Sequence, residues 1–307
     1  MSQSEAAEAT VLNASLLEAA GRICAQIGAR ALFVHADALK GLEQLEQLPR
    51  EVERHVTTCS AELHEALVGR GCRAIRLPDL ALGRLDIIKM GVLIALSEGS
   101  ITKQDTIVCL SGLAENGQID TLMVFRLDRE KEMFQTSEVP NAVDGIDPKV
   151  FETVLSLSLE LASEGREGKP RGALLVLGDH ELVLQYSRQL VINPFHGYPE
   201  EQRNILDPTL RETIKEFSAI DGAFVIRGDG VIEAAGRHLN AAPRADLPLG
   251  LGSRHMAASG ITEVSAATSF AVSESTGTVS VFKDGKILMQ ISKSQPAQPA
   301  RKKKKGS

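Results

Sequence analysis

Tryptophan is absent from this 307-residue chain, and aromatic residues make up only 4% of it. We therefore expect aliphatic cores built from Leu, Ile, Val and Ala. Long apolar runs are also missing, since a run such as residues 92–96 falls far short of the roughly 20 residues that a membrane helix needs. The N-terminus lacks the basic start and apolar centre of a signal peptide, so the sequence predicts a cytoplasmic protein without a membrane span.

Cysteine is sparse, and no CxxC pair occurs. Cys24, Cys59, Cys72 and Cys109 stand singly, with no cluster of histidines beside any of them. This spacing favours buried thiols in a reducing compartment over the alternative, a metal or redox site.

Positive charge is in deficit, because the formal net charge is -6 at pH 7. An acidic body argues against a protein that wraps nucleic acid. The exception is the end of the chain, where residues 301–305 form a basic run within residues 293–307. We expect a disordered, solvated tail there, and contact of this tail with nucleic acid or an acidic membrane surface is the alternative.

The two commonest phosphate-binding loops are missing from the first half of the chain. Neither GxGxxG nor GxxxxGK[ST] follows any apolar run there. What this half contains is an alternation of helical and strand patterns. We predict helices at 11–27, 51–68 and 85–99, and strands at 31–36, 74–78, 106–110 and 120–126. The alternation predicts a small open α/β sheet with helices on its faces. His35 stands at a strand end, where we expect a hydrogen-bonded histidine, and a ligand or base is the alternative.

The order of these elements resembles the C-terminal domain of pyruvate kinases. Because no catalytic motif accompanies the pattern, we predict a regulatory or dimerising domain over residues 1–140. Its boundary is predicted within 136–148, which contains Pro140, Gly145 and Pro148 without apolar periodicity.

The second half begins with a predicted helix at 150–162 and a strand at 172–178, joined by the glycine-rich segment 164–170. The segment is interpreted as a solvent turn rather than a phosphate loop, because Pro170 stands where a P-loop needs Ser or Thr. A helix through Leu182, Leu184, Tyr186 and Leu190 and a loop at 193–198 are predicted next.

Three short polar clusters follow, each at a predicted strand end or helix start. They are Asp221-Gly222-Ala223, Gly252-Ser253-Arg254-His255 and Ser273-Glu274. A carboxylate suits a hard cation, small residues let a ligand approach the main chain, and a helix N-terminus with Arg suits a phosphate. These types of residue together indicate a nucleotide site, although each cluster alone is also common in turns and caps.

The clusters, in this order, resemble the catalytic domain of the diadenylate cyclases, especially the archaeal type. The resemblance runs over about 148–292 and includes the segments GALLVLGD, NPFHGY and GITEVSAATSFAVSESTG. Asp221-Gly222-Ala223 matches the Asp-Gly-Ala motif of that family, and Arg254-His255 matches the start of its Arg-His-Arg motif. The implied fold is a mixed-sheet α/β catalytic domain that follows the first α/β domain.

The resemblance implies an enzyme that condenses two ATP into cyclic di-AMP and two pyrophosphate. The implied catalytic residues are Asp221, Arg254 and His255; the implied substrate-binding residues are Gly222, Ala223, Leu239, Gly252, Ser253, Ser273 and Glu274; Asp221 and Glu274 are the implied metal ligands. Mg²⁺ or Mn²⁺ is the implied cofactor, and two catalytic domains of a homo-oligomer are expected to face each other.

One residue departs from the family pattern. Met256 stands where the third motif residue is Arg, and a thioether cannot pair with a phosphate. The alternative function is therefore a non-catalytic sensor of ATP or cyclic di-AMP with the same fold, whereas Asp221 and Glu274 favour the enzyme.

Overall fold

The computed structural model describes residues 3–48, 51–80, 82–114, 117–130, 134, 145–165, 168–242, 247 and 250–292. In these ranges, the strands form two separate sheets of five and seven strands, each packed against helices. None of the helices in these ranges combines the length and apolarity that crossing a bilayer requires. The predicted tail at 293–307 and most of the predicted boundary, residues 136–144, lie outside the described residues.

The first half forms the five-stranded sheet. Its helices are α1 (Gln3–Ile27), α2 (Ala61–Gly69) and α3 (Arg84–Ser97), and its strands are β1 (Ala31–His35), β2 (Glu53–Thr58), β3 (Arg73–Arg76), β4 (Thr106–Leu113) and β5 (Gln118–Arg126). The strand order is β3-β2-β1-β4-β5, and all neighbours are parallel except the β4-β5 hairpin. The expected open α/β sheet with helices on its faces is confirmed.

The prediction of one helix over residues 51–68 is wrong. Residues 53–58 form β2, which pairs in parallel with β1 on one side and with β3 on the other. The β-branched run Val56-Thr57-Thr58 favours a strand over a helix. Ser60 then starts α2, because its hydroxyl accepts a hydrogen bond from the Leu63 amide.

The second half forms the seven-stranded mixed sheet. Its helices are α4 (Pro148–Ser163), α5 (His180–Gln185), α6 (Leu210–Phe217) and α7 (Ser253–Val264), and its strands are β6 (Ala173–Leu177), β7 (Ser187–Gln189), β8 (Ala223–Ile226), β9 (Ile232–Leu239), β10 (Thr268–Val272), β11 (Thr278–Lys283) and β12 (Lys286–Ser292). The order is β12-β11-β10-β6-β8-β9-β7, with β6 and β8 parallel and the other pairs antiparallel. The expected mixed sheet is confirmed.

The predicted helix through Leu190 ends earlier than expected. Helix α5 stops at Gln185, and residues 187–189 pair with β9 as an edge strand. The Leu190 amide donates to the Gly236 carbonyl at 3.0 Å, so the backbone of this segment is satisfied by the sheet instead of by a helix.

The two halves share an apolar core. Leu93 and Ile94 of α3 belong to the same buried cluster as Val154 of α4 and Ile291 of β12. Helix α3 lies along β12, the outer strand of the second sheet. One helix of the first half therefore covers an edge of the second sheet, which would otherwise expose unpaired backbone groups.

Candidate active site

Asp221-Gly222-Ala223 lies between the end of α6 and the start of β8, as predicted. Gly222 has φ +111°, and a Cβ built there would lie 2.6 Å from the carbonyl carbon of Gly236. Glycine is therefore required at this position because the backbone of β9 passes directly beside it. The Asp221 side chain next to this crossing is exposed.

The first of two adjoining cavities opens beside Asp221 and has a volume of about 240 Å³. Its wall is partly apolar, with Leu174, Leu190, Leu239 and Ala257. Polar groups from β9, from α7 and from the segment before β8 complete the lining: Asp221, Arg237, His238, Ser253 and Arg254. An apolar slot with a few converging polar groups is the usual character of a small-molecule site.

Helix α7 begins at Ser253, with Gly252 as its N-cap in extended conformation (φ -73°, ψ 170°). Gly252 provides no side chain to cap the helix, and a Cβ there would meet nothing within 4 Å. The first amides of a helix have no partners within the helix, and they carry the positive end of its dipole. This end of α7 therefore presents donors to the open space at both cavities.

His255 points into the core from the first turn of α7. Only 7% of the residue is exposed, and its Nε2 lies 3.2 Å from Ser280 Oγ. The ring also packs edge-on against Phe282. Burial lowers the pKa of His255 from 6.5, so the imidazole is neutral at pH 7 and is held as a hydrogen-bonding group instead of a cation.

Ser273-Glu274 forms the turn between β10 and β11. The Ser273 hydroxyl accepts a hydrogen bond from the Thr276 amide at 3.3 Å, and the Gly277 amide donates to the Ser273 carbonyl. Ser273 thus closes the turn, as expected of Ser in a hairpin, while Glu274 extends into solvent. Both residues face the second cavity.

The second cavity has a volume of about 770 Å³. It is lined by the start of α7, by the 273–276 turn and by side chains of the outer strands: Gly252, Ser253, Arg254, His255, Ser273, Glu274, Thr276, Thr278, Gln290 and Ser292. Leu251 and Val272 also line it, so its wall is mixed, with hydroxyl, amide and guanidinium groups beside apolar surface. The guanidinium of Arg254 and the hydroxyl groups suit a charged ligand.

All ten predicted site residues line one of the two cavities. Asp221, Gly222, Ala223 and Leu239 line the first, Gly252, His255, Ser273 and Glu274 line the second, and Ser253 and Arg254 line both. Arg254 Nη1 lies so near Gly172 that a Cβ there would be 2.7 Å away. Arg254 therefore lies between the two cavities, and its guanidinium packs against Gly172, where a side chain would leave no room for it.

The sequence reasoning did not predict Arg237, His238 or Gln290 as site residues. Arg237 and His238 end β9 and face the first cavity, while Gln290 on β12 faces the second. The guanidinium of Arg237 is already hydrogen-bonded within the protein, because its Nη2 donates to the carbonyls of Leu184 and Ser187 at 2.8 and 2.9 Å. The basic pair after the Ala234-Ala235-Gly236 run is the signal that could have identified the first two.

Two family models match the chain. One is described as DisA bacterial checkpoint controller nucleotide-binding and matches residues 160–287. The other is described as a probable sensor domain, DacZ_P, and matches residues 12–136. The two matches fall on the seven-stranded and five-stranded halves, respectively.

Two archaeal proteins are similar over much of the chain. A diadenylate cyclase of Methanocaldococcus jannaschii is 36% identical over 208 residues, which cover 67% of this chain and 66% of that protein. A diadenylate cyclase of Haloferax volcanii is 37% identical over 215 residues, which cover 67% of this chain and 75% of that protein.

Solved structures match as well. DacA from Staphylococcus aureus is 28% identical with a TM-score of 0.32 and covers 47% of this chain and 87% of that one. A pyruvate kinase of Cryptosporidium parvum is 14% identical with a TM-score of 0.33 and covers 38% of this chain and 23% of that one. The predicted likeness of the first half to a pyruvate kinase domain stays a prediction.

Proposed function

Because this chain belongs to the diadenylate cyclase family, we propose that it is a nucleotidyltransferase that condenses two ATP molecules into cyclic di-AMP. The 3'-oxygen of each ATP forms a bond to the α-phosphorus of the other. In each of the two steps the bond from that phosphorus to pyrophosphate breaks, and the hydroxyl proton is lost.

The observation that carries this proposal is the sharing of Ser253 and Arg254 by two adjoining cavities of different size. The smaller cavity, with Leu174, Leu190 and Leu239, suits an adenine and its ribose. The larger cavity suits phosphates. A nucleotide that spans both would have its α-phosphate near the guanidinium of Arg254 and the first amides of α7.

The groups at this junction match the demands of phosphoryl transfer, which depends on positioning and on stabilising negative charge. Arg254 and the amides at the start of α7 would hold the phosphate charge. Asp221, an exposed carboxylate beside the small cavity, would accept the proton of the 3'-hydroxyl. His255, neutral and hydrogen-bonded to Ser280, would fix the orientation of the first turn of α7.

The carboxylates fit the proposed Mg²⁺ or Mn²⁺. These ions prefer oxygen ligands and are commonly held by one or two carboxylates together with substrate phosphates. Asp221 and Glu274 are exposed carboxylates that line the smaller and the larger cavity, respectively. Within the described residues, neither belongs to a group of three clustered metal-ligating side chains, so the nucleotide would supply further ligands. The ion would neutralise phosphate charge.

Two catalytic domains are needed, because one set of Asp221, Arg254 and Glu274 serves one ATP while the product contains two joined adenylates. We therefore propose that two protomers face each other, so that each presents its bound hydroxyl to the partner's α-phosphate. Light scattering gives the concentration at which dimers form. Activity per protomer should then fall when the protein is diluted below that concentration. Constant activity in a solution of monomers would refute this assembly.

The function is tested by incubating the pure chain with ATP and either Mg²⁺ or Mn²⁺ and by identifying the products by mass. We expect cyclic di-AMP and pyrophosphate in a ratio of one to two. Asp221→Asn keeps the size of the side chain but removes its charge, so it should abolish turnover while circular dichroism stays unchanged. Cyclic di-AMP production by Asp221→Asn at the parent rate would remove Asp221 from the mechanism.

Met256 supports the second candidate, a sensor of ATP or cyclic di-AMP that binds without turnover. It lies in the first turn of α7, one residue after the buried His255, and is only partly exposed. Met256→Arg distinguishes the two functions. Faster turnover in the variant indicates an enzyme limited by the missing cation, whereas binding without product in both forms indicates a sensor.

We propose a regulatory role for the five-stranded half, to which a model described as a probable sensor domain matches. The proposal is also supported by α3, which contacts β12 beside the larger cavity. Removal of residues 1–140 tests this role only if the remainder folds, so single substitutions in α3 are the sharper experiment.

A further inference from the structure

Three potential metal ligands meet in the five-stranded half, away from the two cavities. His35 ends β1, Asp37 follows it in a short 3₁₀ turn, and Cys59 follows β2. Strands β1 and β2 are parallel with His35 opposite Thr57, so both strands end at the same edge of the sheet. One ligand atom of each side chain lies within 4.8 Å of those of the other two.

The contacts of Thr57 suit the histidine tautomer that binds metals through Nε2. The Thr57 hydroxyl lies 3.5 Å from the Val34 carbonyl, which can take its hydrogen. Thr57 Oγ1 is then free to accept from His35 Nδ1 at 3.2 Å. With the proton on Nδ1, Nε2 carries the free lone pair, and its neighbour is Asp37 Oδ2. Donation of one ring N–H to an oxygen, with the other nitrogen free, is the usual arrangement of a metal-binding histidine.

The carboxylate is held just as firmly. Asp37 Oδ1 accepts from the Thr58 hydroxyl at 2.6 Å, and Oδ2 accepts from the Cys59 amide at 2.6 Å. A side-chain hydrogen bond also links the Cys59 thiol to Asp37, so the carboxylate is tied to the segment that carries the thiol and to the thiol itself. The imidazole of His35 is 2% exposed and the carboxylate of Asp37 is 11% exposed, whereas Cys59 is partly exposed.

The distance between His35 and Asp37 fits two ligands of one ion better than it fits a hydrogen bond. His35 Nε2 lies 3.6 Å from Asp37 Oδ2, beyond the roughly 2.7–3.2 Å of an N–H···O bond. Nitrogen and oxygen ligands around tetrahedral zinc, with bonds of about 2.0–2.2 Å, lie about 3.4 Å apart. The three ligand atoms lie within 4.8 Å of one another, so small side-chain shifts would bring them around a zinc ion.

We propose that His35 Nε2, Asp37 Oδ2 and Cys59 Sγ bind a divalent ion of the zinc class, with a water molecule or an external group in the fourth position. A set of one nitrogen, one sulfur and one oxygen favours Zn²⁺ over Mg²⁺, which requires oxygen ligands. Binding replaces the thiol proton by the ion, and the proton passes to the solvent.

Co²⁺ is the probe for the first test, because a cysteine thiolate bound to Co²⁺ gives a near-ultraviolet charge-transfer band. The full chain is titrated with Co²⁺ in a large excess of Mg²⁺, which occupies the carboxylates of the catalytic cavities. We expect the band to saturate at one Co²⁺ per chain and to be displaced by Zn²⁺. Cys59→Ser should lose the band, whereas Cys72→Ser, a matched change at another partly exposed cysteine, should keep it.

Absence of the band in the parent chain, or its persistence in Cys59→Ser, overturns the proposal. Thr57→Val gives a second test that does not remove a ligand. It keeps the β-branched shape of Thr57 but removes the acceptor that orients His35, and loss of such a partner typically weakens metal binding by roughly 10–100-fold. Zn²⁺ affinity is measured by competition with a chelating dye, and an affinity equal to that of the parent contradicts the proposed geometry even if Cys59→Ser does not fold.

Discussion

Lys89 of α3 donates a hydrogen bond of 3.2 Å from its Nζ to the backbone carbonyl of Gln290 on β12. Three residues before it, Asp86 accepts from the Ser292 amide at 3.5 Å. Because β12 is the outer strand of its sheet, these bonds satisfy backbone groups that no further strand pairs. The side chains of Gln290 and Ser292 line the larger cavity, so α3 holds part of the cavity wall.

The contact extends towards the first turn of α7. Gln290 Nε2 donates to Ser280 Oγ at 2.9 Å, and Ser280 Oγ lies 3.2 Å from His255 Nε2. At its other face, α3 packs so closely on β2 that a Cβ at Gly91 would lie 2.8 Å from Thr57 Cγ2. The helix is thus in contact both with the strand beside His35 and with the strand beside the larger cavity.

Lys89→Met should alter catalysis without touching the nucleotide. The substitution keeps the length of the side chain but leaves the Gln290 carbonyl without this donor and Asp86 without its nearest cation. A mutation between two coupled sites commonly changes their coupling free energy by about 0.5–2 kcal/mol. We therefore expect KM for ATP to rise by roughly two- to thirtyfold. Lys103→Met, at an exposed lysine of the same half, is the control. Equal KM values in both variants would show that α3 does not influence the cavity.

Glu152 on α4 should make stability depend on pH. Burial, followed by the neighbouring Glu98 carboxylate, raises the pKa of Glu152 from 4.5 to about 7. The folded chain therefore keeps a proton that the unfolded chain loses between pH 4.5 and about 7. The stabilisation is complete below pH 4.5 and is lost as the pH rises through about 7.

Glu152→Gln should remove this dependence, because glutamine keeps the shape and does not ionise. At pH 8 we expect the variant to be more stable than the parent by at most roughly 3 kcal/mol, from about 1.4 kcal/mol per pKa unit. Urea unfolding at pH 5 and pH 8 measures the difference. Glu164→Gln, at an exposed glutamate just after the same helix, should leave the pH dependence of the parent intact, and a similar effect in both variants would contradict the assignment.

Gly222 and Gly252 belong to predicted substrate-binding clusters, but the structure gives them different physical roles. Gly222→Ala combines a left-handed φ of +111° with a Cβ 2.6 Å from the backbone of Gly236, and we expect a loss of more than about 2 kcal/mol in unfolding free energy. Gly252→Ala meets nothing within 4 Å and should cost less than about 1 kcal/mol. Urea titration measures the unfolding free energy of both variants. A larger loss for Gly252→Ala than for Gly222→Ala would contradict the packing described.

The elements that sequence patterns predicted best are those with continuous apolar runs. β1, β4 and β6 are buried, and each contains a short continuous apolar run of the length of a strand. β2 was mistaken for a helix because Glu53, Arg54 and His55 resemble a polar helix surface until parallel pairing on both sides is known. The helix predicted through Leu190 failed for the same reason, since pairing of residues 187–189 with β9 decides their conformation.

The candidate site could be predicted as clusters but not as two cavities. Local patterns indicated that residues 221–223, 252–255 and 273–274 flank strands or begin a helix, which the structure bears out. The arrangement in which Ser253 and Arg254 serve both cavities depends on the order of the strands, which no local pattern contains. The grouping of His35 with Cys59 likewise depends on the parallel pairing of β1 with β2.

The position of Arg254 can be tested without changing Arg254. A Cβ at Gly172 would lie 2.7 Å from Arg254 Nη1 and 3.1 Å from its Cζ, which end a flexible side chain, and 3.3 Å from the backbone carbonyl oxygen of Val272. Gly172→Ala should therefore displace the guanidinium from the junction of the cavities, with a shift of a few tenths of an ångström at Val272. Loss of a charge-assisted hydrogen bond costs about 1.5–3 kcal/mol, so we expect kcat/KM to fall by roughly 10–100-fold.

A double variant shows whether this loss acts through the arginine. Arg254→Ala alone should lower kcat/KM by a similar factor, and adding Gly172→Ala to it should cause little further loss, because the displaced group is already absent. Gly69→Ala, a change on α2 that meets nothing within 4 Å, controls for general effects of the added methyl group. If Gly172→Ala lowers kcat/KM by the same factor with and without Arg254, the methyl group acts on something other than the guanidinium, and the position assigned to Arg254 between the two cavities is wrong.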